Sequence, residues 1–221
     1  IMPSLVGSEM CIRDRFKPGT QIGEGSSKIN EFPFYNYYKN SISQFIYKSE
    51  ELGEESKVID SIAFNFLISP FLEKEREFSN FQIKIMPVNS IEIVDSFIEI
   101  ADSFIVLKES KLVLEEKLGW NYFDIKSFNY YGEDDLLIEI SWGANNYTTN
   151  YNGGYWVEST KLSENHTIYG YSDDEKQLPV IGKTNYRPNL KLGETPIIYH
   201  IANFFYQDIG CLLYTSPSPR D

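Results

Sequence analysis

The sequence predicts an all-β fold: an antiparallel β-sandwich, jelly-roll-like, with one or two short helical turns. Three observations carry that expectation. Strand-forming residues are abundant, since the 221-residue chain has 16 Tyr and 15 Phe, which with Ile, Val and Thr favour extended backbone over helix. Apolar and polar residues alternate over many short stretches, and Gly, Pro and Asn punctuate the chain between them. The cleanest alternation lies between Gly119 and Gly143, where Leu136, Ile138, Ile140 and Trp142 share one face and Leu137, Glu139 and Ser141 the other, as in a half-buried strand. That stretch reads as two strands and a sharp turn at Gly132, a hairpin.

The two ends stand apart from this pattern. Back-translation of Glu9–Asp14 gives a DNA segment whose reverse complement encodes Cys211–Ser216, and the codons of Ser4–Ser8 map in the same way onto Pro217–Asp221. Two ends of one protein have no physical reason to be opposite strands of one DNA segment, and both resemble a transposon-type library adapter. Residues 1–15 and 210–221 are therefore read as translated adapter, 16–192 as the sandwich domain, and 193–209 as a linker and the truncated start of a following domain. Cys11 and Cys211 both fall in the ends, so no thiolate is expected for catalysis, metal ligation or a disulfide. The formal charge of -12 survives removal of the ends and argues against binding a nucleic-acid backbone. No run approaches the roughly 18 apolar residues that span a bilayer, so membrane insertion is not expected.

Along the chain, Gln21–Ser27 is Gly/Ser-rich but lacks the lysine of a phosphate-binding loop, and no helical pattern follows it. Phe32–Tyr38 is an aromatic segment with a proline, suited to an edge or to a loop packed over the core. Ser43–Tyr47 reads as a strand entering a helical turn at Ser49–Leu52, with Ser49 as N-cap and Gly53 as its end. Val58–Ile68 alternates with Ile62, Phe64, Phe66 and Ile68 inward; Pro70 and the charged run Glu73–Glu77 form a solvated loop. Phe81–Ile85 is the next strand. Between Asn89 and Asp102, Ile93, Phe97 and Ile100 recur at helical spacing, so a short helix competes with two short strands. Phe104–Leu107 and Lys111–Leu114 look extended. After the hairpin come a polar, aromatic loop at Asn145–Trp156 and strands at Tyr155–Glu158, near Thr167–Tyr171, and at Arg187–Leu192, with a linker at Gly193–Pro196.

Candidate chemistry is sparse. His166 and His200 are the two histidines, His200 in the truncated segment, so a serine triad or a transition-metal site lacks its usual partners. Two acidic clusters suit calcium, which takes oxygen ligands from loops: Glu133-Asp134-Asp135 and Asp173-Asp174-Glu175, with Asp134, Asp135, Asp173 and Asp174 as the ligands to test against ordinary turn chemistry. Neither has EF-hand spacing, and no other cofactor is expected. A glycosidase pair among the many carboxylates stays open, to be tested by two carboxylates facing each other at roughly 5–10 Å across a cleft. For binding, Tyr147, Tyr151, Tyr155 and Trp156 form a candidate platform on which a sugar ring stacks, with Asn145, Asn146 and Asn150 bonding hydroxyls; the opposing reading has these tyrosines capping the core. Trp120 and Trp142, on alternating strands, read as core.

A series of stations resembles a domain that recurs in large secreted, multidomain proteins of Bacteroidota, often with a type IX sorting signal. They are Ile22-Gly23-x-Gly25, Pro33-Phe34, Ser43-Gln44-x-x-Tyr47 with Glu51-Leu52, Ile62-Ala63-Phe64, Asn80-Phe81-x-Ile83-Lys84, Gly119-Trp120-Asn121, Gly132 with Leu136-Leu137-Ile138-Glu139, Tyr147-Thr148-x-Asn150 and Arg187-Pro188-Asn189. Together they cover about Thr20 to Leu192. The family's Trp-Asp-Gly turn is replaced here by Tyr130-Tyr131-Gly132, which bars transfer of any ligand. The resemblance implies a non-catalytic module at the cell surface or outside the cell, beside neighbouring domains of the same chain. Its partner would be a polysaccharide or a surface protein, in adhesion, surface architecture or glycan contact. A carbohydrate-active enzyme domain and a viral or phage structural sandwich are the alternatives.

Overall fold

The structure is a computed structural model that describes residues 19–89, 91–145, 153–174 and 178–196. In chain order the strands are β1 (Gln21–Ile22), β2 (Ser27–Ile29), β3 (Asn40–Tyr47), β4 (Lys57–Ile68), β5 (Glu77–Val88), β6 (Ile105–Val113), β7 (Gly119–Tyr130), β8 (Asp135–Trp142), β9 (Trp156–Lys161), β10 (Thr167–Ser172), β11 (Gly182–Thr184), β12 (Tyr186–Pro188) and β13 (Leu190–Pro196). One helical turn, α1 (Ser49–Leu52), follows β3, and 3-10 turns lie at Glu73–Glu75 and Asp102–Phe104. These elements form an all-β sandwich of two antiparallel sheets. The seven-stranded sheet runs β1-β13-β4-β9-β12, with β7 on β4 and β2 on β9; the six-stranded sheet runs β11-β10-β3-β8-β5-β6.

The alternation between Gly119 and Gly143 gives two strands, but not a hairpin. β7 pairs with β4 in one sheet, while β8 lies between β3 and β5 in the other. The turn at residues 131–134 thus carries the chain from sheet to sheet. Gly132 makes it possible: its φ is 87°, and a Cβ there would run into the Glu54 carbonyl. β8 is buried on both faces, since Leu136, Ile138, Ile140 and Trp142 enter the main core while Leu137 packs outward against Ile46, Val88 and Ile100. Among the described residues between Asn89 and Asp102, 91–101, no helix forms. That segment instead lies over the outer face of the six-stranded sheet, where burial of Ile91, Ile93, Ile98 and Ile100 replaces helical hydrogen bonding.

Three smaller expectations are also corrected. β13 continues to Pro196 against Lys57 of β4, with a bulge at Gly193/Glu194, so the expected linker is the last part of a strand. Ile68 is 42% exposed because the register slips between Phe66 and Ile68 where β4 meets β9. Trp120 is half-buried with the Lys191 ammonium 4.3 Å over its ring, whereas Trp142 is in the core as expected.

One charged group ties the sheets and α1 together. Arg187, on β12, is 1% exposed; it donates to the Ile46 carbonyl (2.8 Å) and, through both terminal nitrogens, to the Glu51 carboxylate (2.7 and 2.5 Å). Its guanidinium lies 4.4 Å over the Tyr47 ring, and the Tyr47 hydroxyl donates to the Pro188 carbonyl. Partial burial works to raise the Glu51 carboxyl, but the Arg187 hydrogen bonds and charge outweigh it and hold the group below its ordinary value. Arg187→Met leaves Glu51 without its partner. Because Glu51 still reaches water, the expected loss is about 2–3 kcal/mol, below the full cost of breaking a buried pair, and thermal melting should fall by about 4–12 °C. A lowered carboxylate pKa stabilises above the unfolded value and is lost as pH falls through the folded one. Glu51→Gln should therefore destabilise the protein at neutral pH, and the gap to wild type should close below about pH 4 in urea titrations.

Candidate functional site

Loops from both sheets gather at one end of the sandwich, where β4, β6, β8 and β10 finish and β3, β5, β7 and β9 begin. The approach to β3 supplies the centre. Phe34 is fully buried between the sheets, with its ring 5.2–5.9 Å from those of Phe64, Phe66, Phe78 and Phe123. With Phe34 fixed, the next residues emerge at the surface. Tyr35 is buried, and Tyr37, Tyr38 and Tyr171 are half-buried around it. Tyr38 and Tyr171 stack at 4.4 Å; Tyr35 lies 6.0 Å from Tyr38 and 5.3 Å from Tyr171; Tyr37 meets Tyr38 edge-on at 5.1 Å. Tyr169 extends the cluster 6.3 Å beyond Tyr171, and its hydroxyl, bonded to Glu31, is pushed up to about 12 by burial and then by that carboxylate.

The described ends of the Tyr/Asn loop, Asn145 and Gly154-Tyr155, are anchored at the same end. Asn145 is buried, and its side chain accepts from the Ser79 N–H and donates to the Glu77 carbonyl, while its own N–H reaches the Lys39 carbonyl. It is therefore a structural bracket and not a group that bonds a sugar hydroxyl. On the return leg, Gly154 has φ 93°, and a Cβ there would collide with the Phe34 carbonyl. The Tyr155 N–H donates to that same carbonyl at 3.2 Å.

Of the sequence-predicted ligand residues, Tyr147, Asn150 and Tyr151 lie outside the described residues, as does Asn146. Tyr155 belongs to the core: it is fully buried, its ring is 4.4 Å from Phe66, and its hydroxyl donates to the Glu115 carbonyl. Burial pushes that hydroxyl up to about 12. Trp156, half-buried, pairs with Ile68 on the seven-stranded sheet. Neighbours along a strand face opposite ways, so Tyr155 and Trp156 cannot form one platform. The cluster that does form was present in the sequence as Tyr35-Asn36-Tyr37-Tyr38, but the pattern did not separate residues packed over the core from residues displayed on it.

The acidic clusters do not assemble a calcium site. Asp135 is committed to α1, accepting from the Ser49 N–H (2.9 Å) and pairing with Lys48 (2.8 Å), so it caps the turn from the neighbouring strand. Asp134 adjoins it, half-buried. Asp173 accepts from the Lys39 N–H, and the Asp174 N–H donates to the Ser172 hydroxyl, both at the loop end and far from Asp135. Among the described residues no group of three or more His, Cys, Asp or Glu is placed to hold a metal ion. Glu139 and Asp102 share a cleft of about 560 Å³ on the six-stranded sheet. Both face the Lys84 ammonium, at 3.8 and 3.4 Å, so a cation stands where a catalytic pair would hold a glycosidic oxygen or a water.

No family model, curated protein or solved structure matches the chain. The tyrosine cluster is thus weighed on its own geometry. Its dependence on the loop base is testable: Gly154→Ala should cost on the order of 2 kcal/mol, from positive-φ strain and the clash with Phe34, measured by urea unfolding. The tyrosine fluorescence of the folded state should change with it.

Proposed function

We propose that this chain is a non-catalytic extracellular accessory module of a larger surface protein, and that it contacts neutral glycan through the tyrosines at the loop end. The observation that carries the reading is the packing of Tyr35, Tyr37, Tyr38 and Tyr171, with neighbouring ring centroids 4.4–6.1 Å apart, at the end where loops from both sheets converge. Tyrosine suits this role because each ring combines an apolar face with a hydroxyl and loses little side-chain freedom when a ligand stacks on it. The rings stand on Phe34, a core residue, so the surface is pre-organised. A formal charge of -12 repels acidic polysaccharides, which supports an uncharged ligand. Placement at the cell surface rests on the resemblance to secreted multidomain proteins.

Affinity electrophoresis through gels containing a panel of neutral polysaccharides tests the reading. Wild type should be retarded by at least one of them. Tyr38→Ala should weaken that retardation about tenfold, the value of one aromatic contact, while lowering the melting temperature by only about 2–4 °C. Trp156→Ala, at a different surface, should leave it unchanged. If no polysaccharide retards wild type, the glycan reading fails and a spacer becomes the better description. Release of reducing sugar by wild type would overturn the non-catalytic half.

A further inference from the structure

The outer face of the six-stranded sheet is covered by residues 91–104, which belong to neither sheet. They cross the strands in turn. Asp95 pairs with Lys183 of β11, Phe97 lies over Gly170 of β10, Ile98 is bonded to Gln44 of β3, and Ile100 is bonded to Lys84 of β5. The apolar residues Ile91, Ile93, Ile98, Ile100 and Phe104 cover Ile46, Val88 and Leu137.

What holds this strap differs from what holds the sheets. Among the described residues, no backbone-to-backbone hydrogen bond joins Ile91–Asp102 to a strand. Side chains make the connection. The fully buried Gln44 amide brackets Ile98, accepting from its N–H at 2.9 Å and donating to its carbonyl at 2.6 Å, and it also donates to the Glu139 carboxylate at 2.8 Å. Lys84 donates to the Ile100 carbonyl at 2.9 Å and faces both Glu139 and Asp102. A cleft of about 560 Å³ remains along this seam.

We propose that residues 91–102 are a releasable strap, which lifts as a unit from an otherwise intact sandwich and is latched by Gln44, Glu139 and Lys84. A segment held by a few side-chain bonds, beside strands held by full ladders, has a lower opening free energy than the strands. Lifting it uncovers Ile46, Val88 and Leu137 together with the latch. The latch also responds to pH. Burial raises the Glu139 carboxyl, and the Gln44 hydrogen bond and the Lys84 charge offset this only in part, while Asp102 adds to the rise. Glu99 also lines the cleft. Lifting returns Glu139 to water and its ordinary value, so opening releases a proton. The strap is then held most firmly near the ordinary glutamate pKa and loosens as pH rises through the raised one. Asp95, whose carboxyl the Lys183 hydrogen bond and charge hold below its ordinary value, acts in the opposite sense, but only as pH falls below the ordinary aspartate value.

Hydrogen exchange read by mass spectrometry on the full chain tests this at about pH 5 and about pH 7.5, with rates corrected for intrinsic exchange. Amides of residues 91–102 should exchange at least about a hundredfold faster than those of β8. Gln44→Leu should speed the strap a further tenfold or so while β8 stays protected, and Glu139→Gln should flatten the pH dependence of the strap alone. The proposal is overturned if strap and β8 exchange at one common rate in wild type, or if Glu139→Gln retains the wild-type pH dependence. Should Gln44→Leu fail to fold, the wild-type comparison and Glu139→Gln still decide.

Discussion

Phe34 sits where the two sheets meet, and the rest of the molecule is arranged around it. Its neighbours come from β4 (Phe64 and Phe66), β5 (Phe78 and Phe81) and β7 (Phe123), with Tyr155 closing the loop end. The contacts alternate between edge-on and stacked, at 72–80° with Phe64, Phe66, Phe78 and Tyr155 and at 5–13° with Phe81 and Phe123. This is the mixture that ring quadrupoles favour when aromatic groups fill a volume from several sides. Phe34 belongs to no strand. A loop residue thus supplies the contact shared by both sheets, and the loop cannot move without opening the core. The same residue fixes the backbone of Tyr35 and receives the return leg of the Tyr/Asn loop through its carbonyl. Stability and surface geometry are set at one point.

Buried charge is used in two different ways. Arg187 and Glu51 join β12 to α1 and the end of β3, and the pair is strengthened when the carboxylate is ionised. Glu139 lies under the strap, in surroundings that favour its neutral form. The two carboxyls therefore act in adjoining pH windows: Glu51 adds stability as pH rises towards the ordinary glutamate pKa, and Glu139 withdraws it as pH rises from there through its raised value. The first locks sheet to sheet, which suits a scaffold. The second sits where the covering segment is held by side chains alone, so its ionisation acts on a local closure and not on the sandwich.

Much of the fold was legible in period-two alternation, because that pattern reports which residues face a core. Ile62, Phe64 and Phe66 of β4, and Leu136, Ile138 and Ile140 of β8, are buried as the pattern requires. Strand pairing was not legible. Nothing local in Tyr130–Asp134 distinguishes a hairpin from a crossing between sheets; that choice depends on whether β4 or β8 offers β7 a free edge. Helical spacing in Ile93, Phe97 and Ile100 misled for a related reason, since a strap crossing several strands also meets apolar surface at irregular intervals. At the candidate site the sequence reading centred on the Tyr/Asn loop, whose described ends lie at the same end of the sandwich as the tyrosine cluster. It named Tyr155, which turns inward, and passed over Tyr37 and Tyr38, because burial of individual aromatics in a loop is decided by tertiary contacts.

The other parts of the surface have structural duties. Edge strands β6 and β7 carry their own protection against pairing: exposed Lys108, Glu109 and Lys111 on the first, and Asp124, Lys126 and a bulge opposite Asp60 on the second. One outer face is closed by the strap, and on the other Lys191 lies over Trp120. The opposite end is occupied by α1, the Arg187 network and the Asp135 cap, all of which hold the sheets together. At the loop end, Tyr35, Tyr37 and Tyr38 of the approach to β3 gather with Tyr171 of β10. A surface rich in amphipathic rings and rigid at its base is where a sandwich of this kind can change what it recognises while keeping its core.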